Sequence, residues 1–183
     1  MFSAVSPRLR VSHLTRAMAV VLFAAFTAVS ARVTLPLPFT PVPITLQVLA
    51  VVLAGLVLGP KAGAASQVLY LMAIAAGLPL DARGIGTAAL MGPTAGYLIG
   101  FVLAAFVAGW LSERLPVRRA GRFVAAMAGV LVIYLFGVAW LAPIVGGLRP
   151  AWMLGVAPFI LVDLGKALAA AAVAESGRWL LSQ

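Results

Sequence analysis

The chain has no cysteine and one histidine. Without cysteine there are no disulfides, iron–sulfur clusters or thiol chemistry, and the redox compartment cannot be read. The histidine, His13, lies in the basic N-terminal stretch, so no metal site and no metal cofactor are expected. Charge is also scarce. Only 9% of the 183 residues are charged and 64% are hydrophobic, whereas a soluble domain carries about 25% charged residues. That leaves too little polar surface to coat a water-soluble globule, so the expected solvent is lipid. The length suits a single integral membrane domain over residues 1–183.

Six apolar runs are expected to be helical spans: Leu14–Ala31, Thr45–Leu58, Lys61–Ala76, Pro93–Leu111, Phe123–Leu141 and Met153–Leu180. A crossing helix needs about 20 residues. The second and third runs are short for that, and fit either a tilted or a re-entrant helix. The net charge of +9 is read through loop placement rather than as a nucleic-acid footprint. With the N-terminus inside, Arg8, Arg10, Arg16, Lys61, Arg114, Arg118, Arg119, Arg122 and Arg178 fall inside, against Arg32, Arg83 and Arg149 outside. The expectation is therefore an all-α, six-transmembrane-helix bundle with both termini cytoplasmic, multi-pass in a prokaryotic cell membrane. The first run, preceded by arginines and ending in Val29-Ser30-Ala31, also fits a cleaved signal peptide. Small residues at helical spacing (Ala17, Val21, Ala24, Ala25, Ala28) suit a retained, packed helix instead.

Between the first two runs, Leu35-Pro36-Leu37-Pro38-Phe39-Thr40-Pro41-Val42-Pro43 is too proline-rich for helix. Its carbonyls cannot face lipid, so it belongs at the interface or on a cavity wall, as a stiff linker or a lid. The stretch Gly77–Gly92, with Asp81 and Arg83, is a second candidate outer wall.

Two nucleotide-like spellings fail on context. Gly84-x-Gly86-x-x-Ala89 follows no strand, and Gly165-Lys166-Ala167 lacks both the leading glycine and the Ser or Thr of a phosphate loop. Any ATPase must therefore be another subunit. Gly92, Gly96 and Gly100, continued by Ala104 and Ala108, read as a close-packing stripe. Asp163 and Lys166 carry the sharpest signal. Three residues apart, they share one helix face inside an apolar run. A central charge costs at least about 2.5–3.5 kcal/mol on insertion scales, so such residues mark a substrate or ion path. The alternative is a self-satisfied structural pair. Thr45 either caps its helix or lines a site, and Gln47 needs a partner if buried. No catalytic constellation emerges.

Three runs together resemble the BioY family, the biotin-specific substrate-binding subunits (S components) of energy-coupling-factor transporters. They are Pro41-Val42-Pro43-Ile44-Thr45-Leu46-Gln47, Gly55-Leu56-Val57-Leu58-Gly59-Pro60 and Gly92-Pro93-Thr94-Ala95-Gly96-Tyr97-Leu98-Ile99-Gly100-Phe101. Asp163-Leu164-Gly165-Lys166 is similar to the family's last-helix motif. The resemblance implies biotin capture near the outer face as cargo, with no cofactor. Asp163 would take the ureido N–H groups and Lys166 would donate to biotin. Thr45, Gln47 and Tyr97 would complete the pocket, with Arg83 facing the tail carboxylate. It also implies a transmembrane coupling subunit, met by Ala24 and Ala28 of the first helix, and two ATPases. The competing readings are a transporter for another small vitamin and an intramembrane enzyme using Asp163.

Overall fold

The apolar runs fold into seven α-helices among the described residues. The computed structural model describes residues 13–116 and 119–181, with side chains to residue 176. In chain order the helices are α1 (His13–Arg32), α2 (Gln47–Leu58), α3 (Pro60–Ala75), α4 (Ala95–Arg114), α5 (Arg119–Val145), α6 (Leu148–Gly155) and α7 (Ile160–Leu181). Of the basic residues assigned to the inner side, Arg8, Arg10 and Arg118 lie outside the described residues, and only the backbone of Arg178 is described.

The proline-rich segment is the tip of a hairpin between α1 and α2. Strand β1 (Thr34–Leu35) pairs antiparallel with β2 (Ile44–Thr45), with Thr34 opposite Thr45 and Leu35 opposite Ile44. The ladder stops after two residues because the prolines beyond it have no N–H to donate. Val42 turns inward and is buried, whereas Leu35 and Phe39 stay exposed.

Helices α1, α4 and α5 are each long and apolar enough to cross a membrane, and α6 with α7 forms a fourth such unit bent by 55°. At 1.5 Å per residue, the 12 residues of α2 and 16 of α3 rise only about 18 and 24 Å. Their shortness goes with their position. Helix α2 packs on α1, α3, α4, α5 and α7, so most of its surface meets protein. It turns into α3 on one residue, Gly59, whose φ of +79° suits glycine, and Pro60 opens the next helix.

Two expectations are corrected. The last run is not one helix over Met153–Leu180, because α6 ends at Gly155 and α7 begins at Ile160. Pro158 lies in the gap; it has no N–H for a helical bond and disfavours helical backbone at Ala157. Arg122 is not an inner-loop charge. It sits within α5, 5% exposed, and meets Glu175 of α7 at 2.7 Å. Ala24 and Ala28 of α1 are 7% and 8% exposed. Both are enclosed in the buried core, and α1 packs on α2 and α3. The exposed face of α1 carries Leu14, Met18, Leu22 and Val29.

The glycine stripe packs α4 against α5. A Cβ on Gly96 would overlap Trp140 and the Phe136 carbonyl, and one on Gly100 would lie 3.1 Å from the Phe136 Cβ. In lipid no hydrophobic force pulls two helices together, so close backbone approach supplies the dispersion contact. Gly92 is not part of this seam. It precedes α4, its carbonyl accepts the Trp140 indole N–H, and a Cβ there would meet nothing nearer than 3.6 Å. Gly96→Val is therefore expected to lower stability by about 1–3 kcal/mol or more, and Gly92→Ala to leave it unchanged. Thermal melts of the detergent-solubilised variants check both.

Candidate binding site

Where the hairpin and the N-terminal ends of α2, α4 and α7 converge, they enclose a cavity of about 60 Å³. All six residues singled out from sequence line it: Thr45, Gln47, Arg83, Tyr97, Asp163 and Lys166. They come from four separate parts of the chain, so their convergence is a property of the tertiary fold.

Asp163 and Lys166 form the polar end. The break before Ile160 starts a new helix inside the bundle and puts Asp163 in its first turn. There the unpaired N–H groups of the helix start favour a negative charge. Asp163 is 2% exposed and Lys166 7%. The Lys166 ammonium donates to Asp163 Oδ1 at 2.6 Å, and the Tyr134 hydroxyl donates to Oδ2 at 2.6 Å. Tyr134 was missed in the sequence reading. The available signal was a phenol in the middle of the fifth apolar run, since a buried tyrosine hydroxyl needs a partner.

A second chain of hydrogen bonds forms one side wall. The Thr45 hydroxyl donates to Gln47 Oε1 at 3.2 Å, and Gln47 Nε2 donates to the Tyr70 hydroxyl at 2.8 Å. Tyr70 in turn donates to the Leu80 carbonyl at 3.1 Å. Thr45 Oγ1 also accepts the backbone N–H of Gln47; it lies in β2, one residue ahead of Leu46, which stands at the N-cap of α2 without a side-chain cap bond. The chain ties α2 through α3 to the loop carrying Asp81 and Arg83. Asp81 faces the cavity but is committed to its own loop, accepting the backbone N–H groups of Arg83 at 2.9 Å and Gly86 at 2.8 Å. Arg83 reaches across to donate to the Pro41 carbonyl of the hairpin.

Tyr97 is clamped edge-on. Its hydroxyl donates to the Gly155 carbonyl at 3.0 Å, and it packs against two glycines of other helices. A Cβ on Gly137 would overlap the ring, and one on Gly155 would overlap the hydroxyl. Gly155→Ala is therefore expected to displace the ring and destabilise by about 1–3 kcal/mol. Tyr97→Phe, which removes the overlapping oxygen, is expected to recover part of that loss in the double variant. A melt of the four proteins in the cycle checks the coupling.

Aspartate, lysine, tyrosines and one amide around a mostly apolar cavity suit recognition of a small ligand with both donors and acceptors. Among the described residues no group of three or more His, Cys, Asp or Glu side chains is placed to hold a metal ion. The BioY family model matches residues 5–183. The probable biotin transporter BioY of Pyrococcus horikoshii is 45% identical over 157 residues, covering 85% of this chain and 91% of its own. The biotin transporter BioY of Thermotoga maritima is 42% identical over 154 residues, covering 84% and 89%. A 2.1 Å crystal structure of the S-component for biotin from an ECF-type ABC transporter superposes with a TM-score of 0.83 at 26% identity, covering 90% of this chain and 91% of that one. These relatives are named as transporters rather than enzymes, and the chain belongs to the BioY family.

Proposed function

We propose that this chain captures biotin for uptake, as the substrate-binding subunit of a vitamin transporter. The observation that carries this is the hydrogen-bonding capacity left over at Asp163 and Lys166. An ionised carboxylate offers about four acceptor sites and an ammonium three donors. Lys166 and Tyr134 occupy one site on each carboxylate oxygen, and Asp163 occupies one lysine donor. An acceptor and a donor therefore lie side by side, 2.6 Å apart, facing the cavity. The ureido ring of biotin carries an N–H next to a C=O, the complementary pair. Asp163 accepts the ureido N–H and Lys166 donates to the carbonyl, both as charge-assisted bonds. Thr45 and Gln47 flank the ring, and apolar walls such as Phe101 and Phe159 suit its thioether side. Arg83, at the far end, faces the anionic tail.

In this reading α1 to α5 and the bent α6–α7 unit make six crossings of a prokaryotic plasma membrane, with both termini cytoplasmic. The bias of Lys and Arg toward one side supports that orientation. The cavity then opens outward under the hairpin. Release to the inside requires work, and no ATP-binding motif is present in the sequence. A transmembrane coupling subunit with two ATPases is the proposed source.

The test is saturable binding of labelled biotin to the purified protein in detergent. Changing Asp163→Asn together with Lys166→Met removes both charges and leaves no unpaired buried ion. That variant is expected to fold and to lose at least about 100-fold in affinity, roughly 2.7 kcal/mol. Tyr134→Phe removes one hydrogen bond that orients Asp163 and is expected to cost about 1 kcal/mol, near fivefold. Wild-type affinity in both variants would overturn the assignment.

A further inference from the structure

A second cavity of about 350 Å³ lies beside the first, and Pro43, Ala82 and Arg83 wall both. Its other walls come from the hairpin, among them Thr34, Leu37 and Thr40. Arg83 is an exposed side chain, and what holds it across the gap is its hydrogen bond to the Pro41 carbonyl. The hairpin is in turn pinned on its far side, where the Thr40 hydroxyl donates to the Leu154 carbonyl at 2.7 Å. Of the three shared residues Arg83 alone has a long, exposed side chain, so its rotation opens that part of the wall while the hairpin stays anchored.

Size and chemistry then divide the labour. The inner cavity, at about 60 Å³, is far below the roughly 300–1,000 Å³ usual for a small-molecule site, whereas the second falls within that range. A ligand whose head engages Asp163 and Lys166 must send its chain out past Arg83. In biotin the carboxyl stands at the end of the chain opposite the ureido ring, so whatever is attached to that carboxyl enters the second cavity. A guanidinium donates equally to a carboxylate and to an amide carbonyl, so Arg83 does not require the acid to be free. Leu37 and the prolines offer apolar wall for a methylene chain, and the mouth is open to solvent for a polar end.

We infer that the second cavity is a subsite for a group carried on the ligand's tail, so that the protein also captures biotin joined as an amide to an amine, such as biocytin, its lysine ε-amide. This rests on the biotin reading of the first cavity and extends it. The site is selective for the ureido head and tolerant beyond the tail carboxyl.

The experiment is displacement of labelled biotin by unlabelled biotin and by biocytin, on wild type and on Thr34→Trp. Thr34 lines only the second cavity and is exposed, so the indole fills that space without touching the polar end of the first. Wild type is expected to bind biocytin within about tenfold of biotin. In Thr34→Trp, biotin affinity is expected to stay within about threefold while biocytin weakens by at least about 30-fold. Saturable biotin binding that a thousandfold excess of biocytin fails to displace would overturn the subsite and leave the biotin reading intact. Equal weakening of both ligands in Thr34→Trp, or of neither, would also overturn it. If folded wild-type protein retains no biotin, the parent reading fails and takes the subsite with it.

Discussion

Two opposite charges enclosed in an apolar bundle set the terms for the rest of this structure. Asp163 and Lys166 are almost fully removed from solvent, and each alone would be untenable in such surroundings. They persist because each is the other's partner at 2.6 Å, because Tyr134 satisfies the second carboxylate oxygen, and because α7 begins nearby. The break at Pro158 is thus more than an irregularity. A continuous helix would have hidden Asp163 in its middle with every nearby backbone N–H already bonded. The interruption brings a helix start, with its partial positive charge, to the level of the carboxylate.

Packing around this cluster follows from lipid being the solvent. Hydrophobic burial does not favour helix on helix over helix on lipid, so the close seams are lined with glycine and alanine. Gly96 and Gly100 admit α5 to the surface of α4, and Gly137 and Gly155 admit the Tyr97 ring between helices. Tyr97 thereby links α4 to the end of α6, and its hydroxyl binds the backbone just before the break. The same small residues that bring the helices together also fix the aromatic wall of the cavity. Stability and site geometry share one set of contacts.

The cavity has a rigid end and a softer one. Its polar end is built on helices and buried charge pairing, its mouth on a two-residue ladder, a proline-rich tip and loop residues held by side-chain-to-backbone bonds. Elements with few buried contacts and exposed hydrogen bonds open at lower cost than packed helices. In the proposed reading the ligand's head and tail meet parts of the fold with different freedom to move.

Much of this was legible in the sequence, and for local reasons. Helix positions followed from apolar runs, since a stretch that cannot face water and must satisfy its own backbone has few options. Asp163, Lys166 and Gln47 stood out because polar groups inside such runs are costly wherever they end up. Where residues meet was beyond reach. Nothing in local spacing pairs Tyr134 with Asp163, Arg122 with Glu175, or Arg83 with Pro41, because these contacts join segments separated by tens of residues. Ala24 and Ala28 show the same limit from the other side. A small-residue stripe reports that something packs closely against it, while only the three-dimensional arrangement shows that the chain's own bundle encloses both residues. A lipid-solvated helical chain with a charge pair on one helix face was readable from composition and periodicity, which are one-dimensional properties. The two cavities and the partners of each polar group came only with the folded chain, because they depend on distances that no linear spacing encodes.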